Sequence, residues 1–254
     1  MGNPLFRDFM SGFQKRVTGQ NSYRVMSKLK DFSIATARMM PVIILADVSG
    51  SMAAYGKLSA LNRAIAEMIT IFADEQDVRA DIHVAVITFG GGVASLHQTL
   101  QPASQIQWTD MEAKGATPMG AAFELATQLL EDKTIIPSRS YHPNLVLISD
   151  GQPTDERGRP SENWKEPLQQ LLNSERASKA LRFAMGIGPD ADETTLKAFL
   201  VGQHPEIPVF RADETGIQKF FRWVTVTVTS RSKSVSPNSI PPIDFDNLDD
   251  LLEF

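Results

Sequence analysis

The chain contains no cysteine. That excludes disulfides, thiol nucleophiles and cysteine metal sites. It has no surplus of positive charge either: 25 Lys and Arg stand against 30 Asp and Glu, a formal net charge of −5. The basic footprint of a nucleic-acid-binding protein is therefore missing. No apolar run approaches the roughly 18 residues of a membrane span. Residues 1–8 show no basic stretch leading into an apolar one, so no secretory signal is expected. Phe6 stands where a myristoylation pattern needs Ser or Thr. His83, His97, His142 and His204 share no metal-ligand spacing and read as ordinary strand and surface residues. Together these absences predict a soluble, cytoplasmic protein.

What is present is a chain of 254 residues, 42% hydrophobic, enough for one sizeable core. From about residue 40 to 229, apolar runs alternate with helical periodicities. That alternation predicts an α/β fold: a Rossmann-like, doubly wound, mainly parallel sheet with helices on both faces. Strands are expected at 42–47, 81–89, 93–100, 144–149, 181–187 and 207–210. Helices are expected at 58–74, 118–131, 164–174, 192–200 and 214–226. Leu58, Leu61, Ile65, Met68, Ile69 and Phe72 recur at three- and four-residue steps, a buried helical stripe. Gly90, Gly91 and Gly92 join two strand-like runs with too few residues for a crossover, which implies one antiparallel edge strand.

The strongest chemical signal is Asp47-Val48-Ser49-Gly50-Ser51, directly after the apolar run 42–46. Alternate residues of an extended segment point the same way, so Asp47, Ser49 and Ser51 can converge. Asp150 closes the apolar run 144–149 in the same manner, and Thr117 lies in the glycine-flanked loop 115–120 between them. In an open parallel sheet, ligands bind beyond the carboxyl ends of the strands where strand order reverses. The donors are all oxygens. They suit a hard cation, Mg²⁺ first, with Mn²⁺ or Ca²⁺ as alternatives, and argue against zinc. Other motifs are weaker. Gly186-Ile187-Gly188 lacks the third glycine of a dinucleotide fingerprint. Asp155 reads as a loop stabiliser and Met119 as packing.

The two ends differ from this core. Residues 1–38 are basic, and Leu5, Phe6, Phe9, Met10, Phe13 and Val17 form an apolar stripe at helical spacing. Packing on its own domain and docking to another protein both remain open. Residues 39–229 form the domain. Residues 230–239 read as a Ser/Pro linker, followed at 243–254 by an acidic-hydrophobic tail that reads as a short partner-binding motif.

These residues resemble a known family. Asp47-Val-Ser49-Gly-Ser51-Met52, Gly-Ala-Thr117-Pro-Met-Gly and Leu-Ile-Ser-Asp150-Gly-Gln-Pro-Thr-Asp155 are similar to the von Willebrand factor A (VWA) domain and its metal-ion-dependent adhesion site. Within it, Ala85-Val-Ile-Thr-Phe89, residues 148–155 and Phe220-Phe-Arg-Trp-Val224 look nearest the bacterial tellurium-resistance TerY-like group. The glycine hairpin and the first 38 residues depart from that group's pattern. The resemblance implies that Ser49, Ser51 and, in one state, Thr117 bind the ion directly, while Asp47 and Asp150 act through bound water. It also implies a non-catalytic module that captures a partner's Asp or Glu, and partners that include a protein kinase and a PP2C-type phosphatase in a stress-response or phage-defence complex. The alternative is a metal-dependent phosphohydrolase or phosphotransferase with Asp47 as nucleophile. Such an enzyme needs a second acid/base carboxylate nearby, and Ser49 stands at that position.

Overall fold

The structure is a computed structural model and describes residues 37–239 apart from 76–78, 204–205 and 214–215. The N-terminal stripe, His204 and the tail 243–254 lie outside the described residues.

In chain order the elements are β1 (Arg38–Asp47), α1 (Lys57–Asp74), β2 (Ala80–Gly90), β3 (Val93–Pro102), α2 (Met119–Glu131), β4 (Asn144–Ser149), α3 (Lys165–Asn173), β5 (Leu181–Ile187), α4 (Glu193–Leu200), β6 (Phe210–Ala212) and α5 (Gly216–Lys233). The sheet order is β3-β2-β1-β4-β5-β6. Every neighbouring pair is parallel except β2 with β3, which is the expected antiparallel edge.

Both faces of the sheet are covered, so its central strands are apolar without alternation. Along β1, Met40, Val42, Ile44 and Ala46 pack with α1 and α5 residues such as Leu61, Ile65, Phe221 and Val224. Ile43 and Leu45 face the other way, against Phe123, Leu168 and Phe199 of α2, α3 and α4. The whole predicted stripe of α1 is buried. Strand order reverses between β1 and β4, so the crevice at their carboxyl ends is the topological switch point.

Three expectations need correction, all near the C-terminal end of the domain. The last strand is Phe210–Ala212 instead of 207–210, because Pro208 has no N–H to give a ladder; Ile207 is buried in the core instead. The last helix was expected to stop at 226, yet it runs to Lys233. Its Thr and Val residues disfavour helix in isolation. Thr225 and Thr227 donate their hydroxyls to the Phe221 and Trp223 carbonyls, which satisfies them inside the helix. The expected linker from Ser230 thus begins in a packed helix. Arg231 is 1% exposed; it donates to Asn144 Oδ1, the Pro237 carbonyl and the His142 carbonyl, tying the helix end to the start of β4.

Candidate metal centre

Asp47 ends β1 and is wholly buried. The Ser49 amide donates to its Oδ1 at 2.8 Å and the Ser149 hydroxyl to its Oδ2 at 2.6 Å. The second of these bonds spans the switch point from β4 to β1. Burial pushes the Asp47 carboxyl up to about 6, against the opposing pull of the bonds from Ser149 and Ser49.

From Asp47 the chain turns outward. Ser49 Oγ lies 3.0 Å from Ser51 Oγ. Ser51 Oγ donates to Asp150 Oδ1 at 2.6 Å, and Lys57 Nζ reaches Asp150 Oδ2 at 2.7 Å. Asp47, Ser49, Ser51 and Asp150 therefore form one bonded chain. Thr117 joins it through the backbone. Its loop is stitched to the first by Lys114 N to Val48 O (2.6 Å) and Gly50 N to Gly115 O (3.1 Å). Its amide donates to Thr154 Oγ1 at 2.7 Å and its carbonyl accepts from Thr154 N at 2.9 Å, which ties it to the loop after Asp150. The Thr117 hydroxyl makes no hydrogen bond among the described residues.

The glycine hairpin lies where these loops meet. A Cβ on Gly90 would fall 2.7 Å from Val48 Cγ2 and 2.8 Å from the Val48 carbonyl oxygen. On Gly92, whose φ is +86°, it would fall 2.8 Å from the Glu156 carbonyl oxygen. Only residues without side chains let the hairpin approach both loops.

The donor set fits a hard cation. Two carboxylates and two hydroxyls, of Asp47, Asp150, Ser49 and Ser51, are joined at the crevice with Thr117 on the adjoining loop, and no cluster of three or more His, Asp or Glu that could hold a metal is found among the described residues. Sequence reasoning missed Lys57, the Ser149 hydroxyl and Tyr55. The signal for Ser149 was a hydroxyl closing an otherwise apolar strand. Lys57 and Tyr55 carried no spacing signal. Tyr55 has φ +54° and is 84% exposed, a ring held into solvent between Ser51 and Lys57. His83 and His97 are engaged with Asp81 and the Thr109 carbonyl, as ordinary strand residues would be. Asp155 accepts from the Arg157 and Arg159 amides and pairs with Arg159, and it turns its own loop. Met119 is buried.

Fold and crevice define the class: a Rossmann-like domain with an oxygen-lined site at the strand-end switch point. The comparisons show what it is similar to. Residues 42–152 match the family model described as the von Willebrand factor type A domain, and the described domain has the VWA fold. The chain is similar to a von Willebrand factor type A structure from Catenulispora acidiphila, at 19% identity and a TM-score of 0.53, covering 76% of this chain and 42% of that one. It is also similar to proximal thread matrix protein 1 from the mussel byssus, described with a zinc-occupied metal-ion-dependent adhesion motif. That match has 17% identity and a TM-score of 0.50, over 75% of this chain and 46% of that one. A third similar structure is the domain of a type V pilus tip protein from Porphyromonas gingivalis, at 9% identity and a TM-score of 0.56, over 78% of this chain and 97% of that one. The chain thus spans less than half the length of the first two. No curated protein matches the sequence significantly. No helix among the described residues is long and apolar enough to cross a membrane.

Proposed function

We propose that the chain is a non-catalytic protein-binding module whose strand-end oxygens hold Mg²⁺ and present it to an Asp or Glu of a partner protein. The observation that carries this is the bonded run from Asp47 through Ser49 and Ser51 to Asp150. It gathers two carboxylates and two hydroxyls in one crevice, with the Thr117 hydroxyl on a loop stitched to both sides. When bound, the cation supplies the attraction for an incoming carboxylate. Ser49, Ser51 and Thr117 offer neutral direct donors, which leave most of the ion's charge for that partner. Asp47 and Asp150 would hold water bound to the ion. Tyr55 adds an exposed aromatic ring at the rim, the residue type that most often anchors interfaces.

The similar fold of a pilus adhesin and of a pilus tip domain supports an adhesive role over an enzymatic one. Both Asp47 oxygens are already engaged and the group is buried, which disfavours it as a nucleophile in a phosphohydrolase. The motif resemblance supports a TerY-like subgroup acting in the cytoplasm, in a stress-response or phage-defence complex with a protein kinase and a PP2C-type phosphatase.

The test is a titration of Mn²⁺ followed by electron paramagnetic resonance, with Mg²⁺ as competitor. The wild type is expected to bind with at least tenfold higher affinity than Asp47→Asn or Ser51→Ala, with far-ultraviolet circular dichroism unchanged. Equal binding by all three sinks the reading.

A further inference from the structure

The end of the sheet opposite the candidate metal centre carries a second polar site. A cavity of about 200 Å³ opens beside the first residues of β1 and the segments entering β4 and β5. That is room for roughly six waters at about 30 Å³ each. We propose that this pocket is a docking site for the carboxylates of the chain's own acidic segment, residues 244–253.

The pocket wall is cationic and under-used. Arg38, Arg176 and Lys179 line it against a single carboxylate, Glu175, which lies 3.9 Å from Lys133. Among the described residues none of the three cations is in a salt bridge. Arg38 lies flat over the Tyr141 ring, 4.2 Å from its centroid, with Nε on the Arg139 carbonyl. Its two terminal nitrogens make no hydrogen bond among the described residues. A guanidinium fixed this way presents its fork ready to take a carboxylate bidentately. Arg176 Nη2 and Ser140 Oγ, on two other residues of the wall, are buried donors without partners. Unsatisfied groups of this kind are rare in a finished interior. The positive field registers on His142, whose imidazole is pushed below its ordinary value by burial and by Arg231, Lys179 and Arg38.

Charge and tether both select the occupant. Asn238 lines the pocket and accepts from the His142 amide at 2.8 Å, so the described chain ends at the pocket's edge. Beyond Ser239 the sequence carries Asp244, Asp246, Asp249, Asp250 and Glu253 and no Lys or Arg. Asp244 and Asp250 lie 5 and 11 residues past Ser239, a root-mean-square reach of roughly 12–20 Å. Short tethers of this kind give effective concentrations in the millimolar range, enough for carboxylate–guanidinium contacts that would be weak between separate molecules.

The absence of cysteine makes the test clean. A nitroxide on Leu252→Cys in the full chain labels one position. In 0.05 M salt the amide signals of Ser138, Ser140 and Tyr141 are expected to lose at least half their intensity relative to the reduced label. They should recover in Lys179→Glu, in Arg38→Gln, and in 1 M NaCl, where the screening length is about 3 Å. Lys179 is exposed, so its replacement leaves the fold intact. Undiminished signals at low salt, or losses that survive Lys179→Glu, overturn the proposal. Losses appearing in a mixture of isotope-labelled chain without nitroxide and nitroxide-bearing chain without isotope overturn it too, because they assign the pocket to a second copy.

Discussion

Replacing Lys57 by Met separates the two electrostatic tasks of the candidate centre. The Asp150 side chain is fully buried and that of Lys57 is 15% exposed, with 2.7 Å between Nζ and Oδ2. Removing one partner of a buried pair costs about 3–5 kcal/mol, because the other charge is left uncompensated. The partial exposure of Lys57 and the surviving bond from Ser51 reduce that to about 2–3 kcal/mol. For a domain of this size the loss corresponds to roughly 5–10 °C in Tm. This penalty is expected in chelator. In Mg²⁺ the balance changes, since a divalent cation near Asp150 supplies the missing positive charge and no longer meets a resident ammonium. A tenfold gain in Mg²⁺ affinity adds about 1.4 kcal/mol to the variant's stabilisation by the ion. Urea unfolding of both proteins, with chelator and with millimolar Mg²⁺, reads each term. An equal loss under both conditions refutes the argument, because Lys57 would then be packing and nothing more.

Two further outcomes follow from the geometry. Gly92→Ala forces a Cβ to 2.8 Å from the Glu156 carbonyl oxygen at a φ of +86°. It should cost about 1–3 kcal/mol in urea unfolding and weaken Mn²⁺ binding several-fold, since the loop after Asp150 must shift; unchanged binding would show that the hairpin does not position that loop. For His142, burial and neighbouring cations depress the folded pKa. Below its ordinary value of about 6.5 the unfolded chain therefore binds more protons, and this group's contribution to stability is lost as pH falls through that range. Proton NMR of the chain with Asp244, Asp246, Asp249, Asp250 and Glu253 replaced by their amides should place the His142 midpoint below 6.5, and adding Lys179→Glu should raise it; a midpoint at or above 6.5 without those carboxylates contradicts the cationic environment.

The sheet and its helices were legible because burial on both faces writes itself into composition. Segments such as Val42–Ala46 and Leu145–Ile148 are unbroken apolar runs, and α1 repeats its apolar residues at helical spacing. The motif residues were legible for a different reason: three separated segments had to end in oxygen donors at the same edge. What stayed hidden was tertiary. Lys57 reaches Asp150 across 93 residues of sequence, and nothing local marks a lone lysine after a turn as an ion-pair partner. The hairpin glycines looked like turn residues until Val48 and Glu156 were found packed against them. The continuation of α5 through Ser230 stayed hidden because residues 230–239, rich in Ser with Lys, Arg and Pro, read as a linker, whereas Phe221, Val224 and Val228 fix the helix in the core.

Lys57 also bears on what the crevice can attract. Two buried carboxylates at one switch point repel each other, and the fold treats them differently. Asp47 is held by the Ser49 amide and the Ser149 hydroxyl, and Asp150 by an ammonium. With both carboxylates ionised and Lys57 protonated, the formal charge of the three is −1 − 1 + 1 = −1. A divalent cation turns that to +1, so loading inverts the sign of the site. Without Lys57 the same ion brings −2 only to zero, and an anionic partner gains less on approach. Lys57→Met is therefore expected to bind Mg²⁺ more tightly but hold acetate more weakly. The readout is acetate displacing water from the Mn²⁺-loaded protein, followed by water-proton relaxation. Acetate bound as tightly by the variant as by the wild type would show that the lysine has no part in anion capture, and that the hydroxyl donors alone set the pull of the site.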